Sequence, residues 1–316
     1  MTRETALGRR RAVRMLSLAV VSVLVLALLY VVAVHTNWGQ RIDDAALDGR
    51  THRTAVLNAT SRLLDTISIA SLALGSAAIL VIAIARRRPH LAIAAGTIIL
   101  GANVSTQLLK KVVLDRPDLV GRQDTLGMTN SFPSGHSTVA MALAVALVLV
   151  VSESARPWAA FGGLAYATLV GAGTVTAGWH RPSDVVGAYL VVTAWTGATV
   201  AVLIWTEGAE RERPSVLVRS MPTLSPFLAG IGIGVLLGAL AGVSTTLVAA
   251  REDQLDAVDL SGAYAASIAV IFGVALVLLV SVVAALRGLS LDPPGHDAER
   301  ADVTDATTAT TAAVTA

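Results

Sequence analysis

Apolar residues run along this chain in long blocks rather than alternating with polar ones. Predominantly apolar stretches occupy 13–34, 63–85, 91–109, 137–151, 158–177, 185–205, 225–250 and 263–286. Most are long enough to cross ~30 Å of hydrocarbon as a helix, and the pattern predicts an all-α, polytopic membrane helix bundle with about eight transmembrane helices. The first block follows Arg9, Arg10, Arg11 and Arg14 and superficially resembles a secretion signal. It is too long for the apolar region of such a signal, and no small-residue cleavage site precedes the polar loop at 35–40, so a retained helix is expected.

Composition supports the same reading. Over 316 residues, 54% are apolar and 15% charged, and the mean hydropathy is +0.68, far from the values of a soluble domain. The net charge of +2 sits in short clusters beside apolar blocks, which excludes a nucleic-acid-binding face and reports topology instead. If the chain alternates, the segment 3–14, the cluster at Arg86, Arg87 and Arg88, Arg156, the loop 207–219 and Arg287 share one side. Cytoplasmic loops favour Lys and Arg, so both termini are expected in the cytoplasm of a multi-pass cell-membrane protein. Without cysteine there is no disulfide framework and no thiolate ligand or nucleophile. The expected organisation is a basic cytoplasmic segment at 1–12, a membrane core at 13–206, a loop with two additional helices at 207–288 and a disordered tail at 289–316 rich in Ala, Thr and Asp.

The polar residues of the opposite side collect in three places. Lys110 and Lys111, the only lysines, stand at the mouth of the third block, and Arg116-Pro117 follows them. Pro117 biases Arg116 out of helical geometry and leaves its guanidinium above the helix end. Next, Pro133-Ser134-Gly135-His136 opens the fourth block. A helix start with Ser and Gly presents uncovered N–H groups and a positive dipole end, which together cradle an anion, and His136 stands beside it as a group able to carry a proton near neutral pH. Capping alone also uses Ser and Pro in this way. Third, His180-Arg181-Pro182-Ser183-Asp184 opens the sixth block. An Asp four residues after a His can accept from Nδ1–H and leave Nε2 free to attack, although an interfacial polar pair beside Trp179 would look the same.

Taken in order, these residues resemble the type-2 phosphatidic acid phosphatases, a membrane branch of the superfamily that also holds bacterial acid phosphatases and vanadium haloperoxidases. That family has a Lys preceding Arg-Pro, then Pro-Ser-Gly-His, then Ser-Arg followed by a His and an Asp four residues on. The resemblance covers about 91–203 and implies a six-helix phosphatase core, with the two C-terminal helices outside it. By the family's mechanism, His180 would attack phosphorus, Asp184 would orient it and His136 would protonate the leaving oxygen. Ser134, Gly135 and the cations Lys110 or Lys111 and Arg116 would hold the phosphoryl oxygens. No metal and no cofactor are implied. The implied substrate is a lipid phosphate or diphosphate of the phosphatidic acid, phosphatidylglycerol phosphate or polyprenyl diphosphate type, hydrolysed at the outer face.

Two departures stand out. The family Lys lies seven positions before the Arg of Arg-Pro, which here is Leu109, so either Lys110 or Lys111 takes the role. The family's Ser-Arg pair reads Gly173-Thr174. Arg181, next to the expected nucleophile, is the first candidate to replace that arginine, and Arg122 the second. With the arginine missing, the alternative function is a lipid-phosphate binding or transport protein that does not turn over.

Overall fold

The computed structural model describes residues 3–50, 54–121, 130–207 and 257–286, together with 232, 233, 235 and 236. The described part is all-helical. Helix α1 (Arg3–Leu29) runs into a π-turn at Tyr30–Val34, and a short helix α2 (Asn37–Asp48) follows. Then come α3 (Thr54–Ala85), α4 (Pro89–Leu108) with a second π-turn at Leu109–Val113, α5 (Gly135–Val150), α6 (Arg156–Thr176), α7 (Pro182–Glu207) and α8 (Ala257–Ala285).

Five described segments are long and apolar enough to cross a membrane: Gly8–Val34, Pro89–Val113, Arg156–Thr176, Pro182–Thr206 and Leu260–Ala285. Two of the expected spans are shorter as apolar helices, at Leu72–Ala85 and Gly135–Val150. Helix α3 itself runs for 32 residues, from Thr54 to Ala85. The block expected at 225–250, the loop before it and the tail lie outside the described residues, apart from the four positions given above. Helix α2 is an element that blocks of apolar residues do not reveal. Its sequence, NWGQRIDDAALD, is amphipathic, and Thr36 caps it by accepting from the Gly39 N–H.

Helix α7 lies along α1 and also packs on α4, α5 and α8, while α5 is surrounded by α3, α4, α6 and α7. Large apolar side chains face outward, with Leu24 63%, Ile93 70%, Phe161 69% and Leu169 72% exposed, whereas Ser22, Thr106, Thr138, Thr193 and Thr196 are buried. The interior is apolar too, with Leu91, Ile98, Met141, Leu149 and Leu279 buried in one cluster, so the outer surface is apolar in addition to the core. Lipid is as apolar as leucine, so the bundle gains little by hiding leucine from it and is held by close contact and interhelical hydrogen bonds. Gly101 shows the first, since a Cβ there would stand 2.7 Å from the Trp195 ring. That indole also donates from Nε1 to Ser105 Oγ at 3.0 Å. Between α6 and α7, the buried Tyr189 hydroxyl donates to the Ala167 carbonyl at 2.6 Å.

Candidate active site

Three chain segments meet at one end of the bundle because of local rules. The α4 helix ends in a π-turn, closed by Leu114 N–H on the Leu109 carbonyl at 2.8 Å, and this widened turn carries both lysines. Asn130 ties the returning chain to it, donating from Nδ2 to the carbonyls of Leu114 at 2.9 Å and Lys110 at 3.2 Å. Phe132, fully buried, lies against Gly187, where a Cβ would come within 2.6 Å of the ring. Ser134 N–H then donates to the Asp184 carbonyl at 2.9 Å, so the Pro-Ser-Gly-His turn is docked on the first turn of α7.

Within α5, the Ser134 hydroxyl caps the helix by accepting from Ser137 N–H at 3.3 Å. The first-turn N–H groups of Gly135 and His136 are the ones that a helix start leaves to a ligand. At the end of α6, Trp179 and His180 donate their N–H groups to the Thr174 carbonyl at 2.9 and 3.3 Å, and Gly178 makes the turn with φ +75°. The loop therefore delivers His180 to α7, where its Nδ1 lies 3.3 Å from Asp184 Oδ2. Arg181 N–H donates to the same oxygen at 2.9 Å. Nε2 is the ring nitrogen left for chemistry.

A cavity of about 880 Å³ opens beside this pair, lined by Lys110, Gly135, His136, Trp179 and His180, with Gln107 and Asn103 along α4 and Leu72, Ala73 and Val139 as apolar walls. The His136 and His180 rings are 6.0 Å apart between centroids, and His136 also packs on Trp179 at 5.1 Å. Of the two lysines, Lys110 lines the cavity, while Lys111 is exposed and is not part of its lining.

The remaining expected phosphate ligands stand elsewhere. Ser134 is fully buried with its hydroxyl used as the cap. Arg116 is 8% exposed and lies between two carboxylates, with Nη2 3.3 Å from Asp43 Oδ2 and Nη1 3.9 Å from Asp184 Oδ1. Arg181 donates from Nε to Asp44 Oδ1 at 2.9 Å. Neither arginine lines the cavity. Thr174 points back into its own helix, donating to the Gly171 carbonyl at 2.8 Å. Arg122 lies outside the described residues. Among the described residues no group of three or more His, Asp or Glu side chains converges for a metal ion.

Residues that sequence reasoning passed over are Asp43 and Asp44 on α2 and Arg50 just after it. Asp43 accepts from Ser183 N–H at 3.1 Å and from the Ser183 hydroxyl. The Arg50 guanidinium lies 3.0–3.2 Å from where a Cβ on Gly178 would stand, and its buried Nε has no hydrogen-bond partner among the described residues. The only signal in the sequence is an acidic pair inside a 12-residue amphipathic stretch, which reads equally well as a solvated loop.

No curated protein and no solved structure matches the chain. A sequence model described as the PAP2 superfamily matches residues 67–210, a segment that starts within α3, ends just past α7 and contains Lys110, Arg116, the Pro-Ser-Gly-His turn, His180 and Asp184. That match supports assigning this segment to the PAP2 superfamily and, within it, to the type-2 phosphatidic acid phosphatases.

Proposed function

We propose that this protein is an integral-membrane phosphatase that hydrolyses a lipid phosphate or diphosphate on the extracytoplasmic face, through a phosphohistidine and without a metal ion. The observation that carries the reading is the shared cavity: His180, backed by Asp184 at 3.3 Å, and His136 both line it together with Lys110. His180 Nε2 attacks phosphorus, and the bond to the ester oxygen breaks. His136 gives that oxygen its proton, so the lipid alcohol of a monoester, or the lipid monophosphate of a diphosphate, leaves carrying it. In the second half, His136 takes a proton from water, the water oxygen bonds to phosphorus, and the N–P bond breaks to free His180 and phosphate. Lys110 and the N–H groups of Gly135 and His136 stabilise the phosphoryl oxygens in both steps, since fixed donors in a site shielded from water need no reorganisation. The apolar walls at Leu72, Ala73 and Val139 suit the start of a lipid chain.

Phosphate release from a panel of purified lipid phosphates and diphosphates, by the wild-type chain and by His180→Ala, tests this. Release that needs His180 and resists EDTA supports it, and an active His180→Ala protein overturns it. A second reading, lipid-phosphate binding without turnover, draws on Thr174 standing where the family has an arginine. Saturable binding by a wild-type chain that releases no phosphate from any ester in the panel would favour it.

A further inference from the structure

The site is completed from outside the family segment. Helix α2 precedes residues 67–210, yet it sends two carboxylates, Asp43 and Asp44, each 4% exposed, to the start of α7. Its placement follows from the sharp turn after α1, where Gly39 lies so close to the backbone of Val32 and Ala33 that no side chain fits. Asp43 grips both polar groups of Ser183, the residue just before Asp184, and pairs with Arg116 Nη2 at 3.3 Å. Arg116 Nη1 lies 3.9 Å from Asp184 Oδ1, the oxygen that does not face His180. Carboxylate, guanidinium, carboxylate and imidazole thus form one line: Asp43, Arg116, Asp184, His180.

We propose that Asp43 is a positioning residue of this active site, acting through Arg116 and Ser183 to hold Asp184 on His180, and that Arg116 serves this line rather than binding the phosphoryl group. The proposal rests on the phosphatase reading. Two observations favour it over a purely structural tie. First, Arg116 lies within reach of two carboxylates and does not line the cavity, so its charge is spent on the far side of Asp184. Second, three carboxylates, Asp43, Asp44 and Asp184, face two guanidiniums, Arg116 and Arg181. With all five ionised this cluster keeps one net negative charge, which suits an imidazole that becomes cationic when Nε2 bonds to phosphorus.

The test uses the full-length purified chain with one lipid phosphate that the wild type turns over, measuring kcat, KM and the inhibition constant of inorganic phosphate. Asp43→Asn and Arg116→Gln are each expected to lower kcat by at least about tenfold while the phosphate inhibition constant stays within about threefold. The double variant is expected to be no worse than the poorer single one, because the two act as a unit. Ser183→Ala, which removes one hydroxyl contact and spares the ion pair, is expected to lower kcat by about threefold with phosphate inhibition unchanged. Phosphate inhibition weakened more than about tenfold by Arg116→Gln would make that arginine a ligand and overturn the proposal. Losses that add in the double variant, or wild-type kcat in both Asp43→Asn and Ser183→Ala, overturn it as well. A wild-type chain that releases no phosphate overturns the phosphatase reading itself, and the proposal with it.

Discussion

Arg181 Nε donates to Asp44 Oδ1 at 2.9 Å, across 137 positions of sequence, so the cation adjacent to the candidate nucleophile is turned toward α2 and away from the cavity. The pair is mostly buried, with side chains 11% and 6% exposed, and removing one partner leaves the other charge uncompensated. Arg181→Gln is therefore expected to lower thermal stability while changing the inhibition constant of inorganic phosphate by less than about threefold. Weakening by about a hundredfold would restore Arg181 as the substitute for the family arginine.

The two histidines should separate by the step they block. His180→Ala and His136→Ala are both expected to abolish phosphate release, but only His180→Ala should prevent trapping of a phosphorylated protein by an alkaline quench, which spares the acid-labile N–P bond. A trapped phosphoenzyme in His180→Ala would move the nucleophile to another residue.

The lysine pair gives a sharper contrast than its adjacent numbering suggests. Lys110 lines the cavity and Lys111 does not. Lys110→Ala is expected to reduce kcat/KM by at least about tenfold, the loss of one charge-assisted contact, and Lys111→Ala by less than about threefold. Equal effects would contradict this division.

Asp43 should leave a signature in the pH dependence of stability. Burial pushes its carboxyl up from 3.8 to about 6, outweighing the Arg116 guanidinium; Asp184 adds to the rise, while the Ser183 bond and Arg181 oppose it. The folded chain thus holds this proton more tightly than the unfolded chain, so the group's stabilising contribution is complete below about pH 4 and is lost as pH rises through about 6. Asn cannot ionise. The unfolding free energy of the wild type minus that of Asp43→Asn is expected to fall between pH 4 and 6 and then level off, with a span of at most ~3 kcal/mol, and the difference in Tm should follow it. A difference that rises across that range would show that the Arg116 pair, not burial, dominates. The ionised form that the proposed line of charges needs is also the form that costs stability, a common cost of charge in a buried site.

Sidedness can be read with introduced cysteines, because the chain has none of its own. Ser131 is only 2% exposed and makes a poor reporter, whereas Leu119, 39% exposed, lies at the end of the bundle that carries the cavity. Ser154, in the turn between α5 and α6, is exposed at the opposite end. Leu119→Cys is expected to react with an impermeant thiol reagent added outside intact cells, and Ser154→Cys only after the membrane is opened. The reverse pattern would place the site on the cytoplasmic side.

The sequence by itself determined the long apolar helices among the described residues and the local chemistry of their starts. Block length is set by hydrocarbon thickness, so the apolar segments are legible one by one, and Ser134 as a cap and His180 with Asp184 four residues on are relations within a single turn. What only the tertiary structure decided is where the cations go. Whether Lys110 or Lys111 meets the cavity depends on a π-turn whose extra residue per turn no apolar pattern announces. The destinations of Arg116 and Arg181 depend on Asp43 and Asp44, which arrive from a 12-residue helix, Asp43 meeting Ser183 across 140 positions. Charge pairing carries no period and no fixed spacing along a chain, so these partners are chosen only when α2 docks on α7.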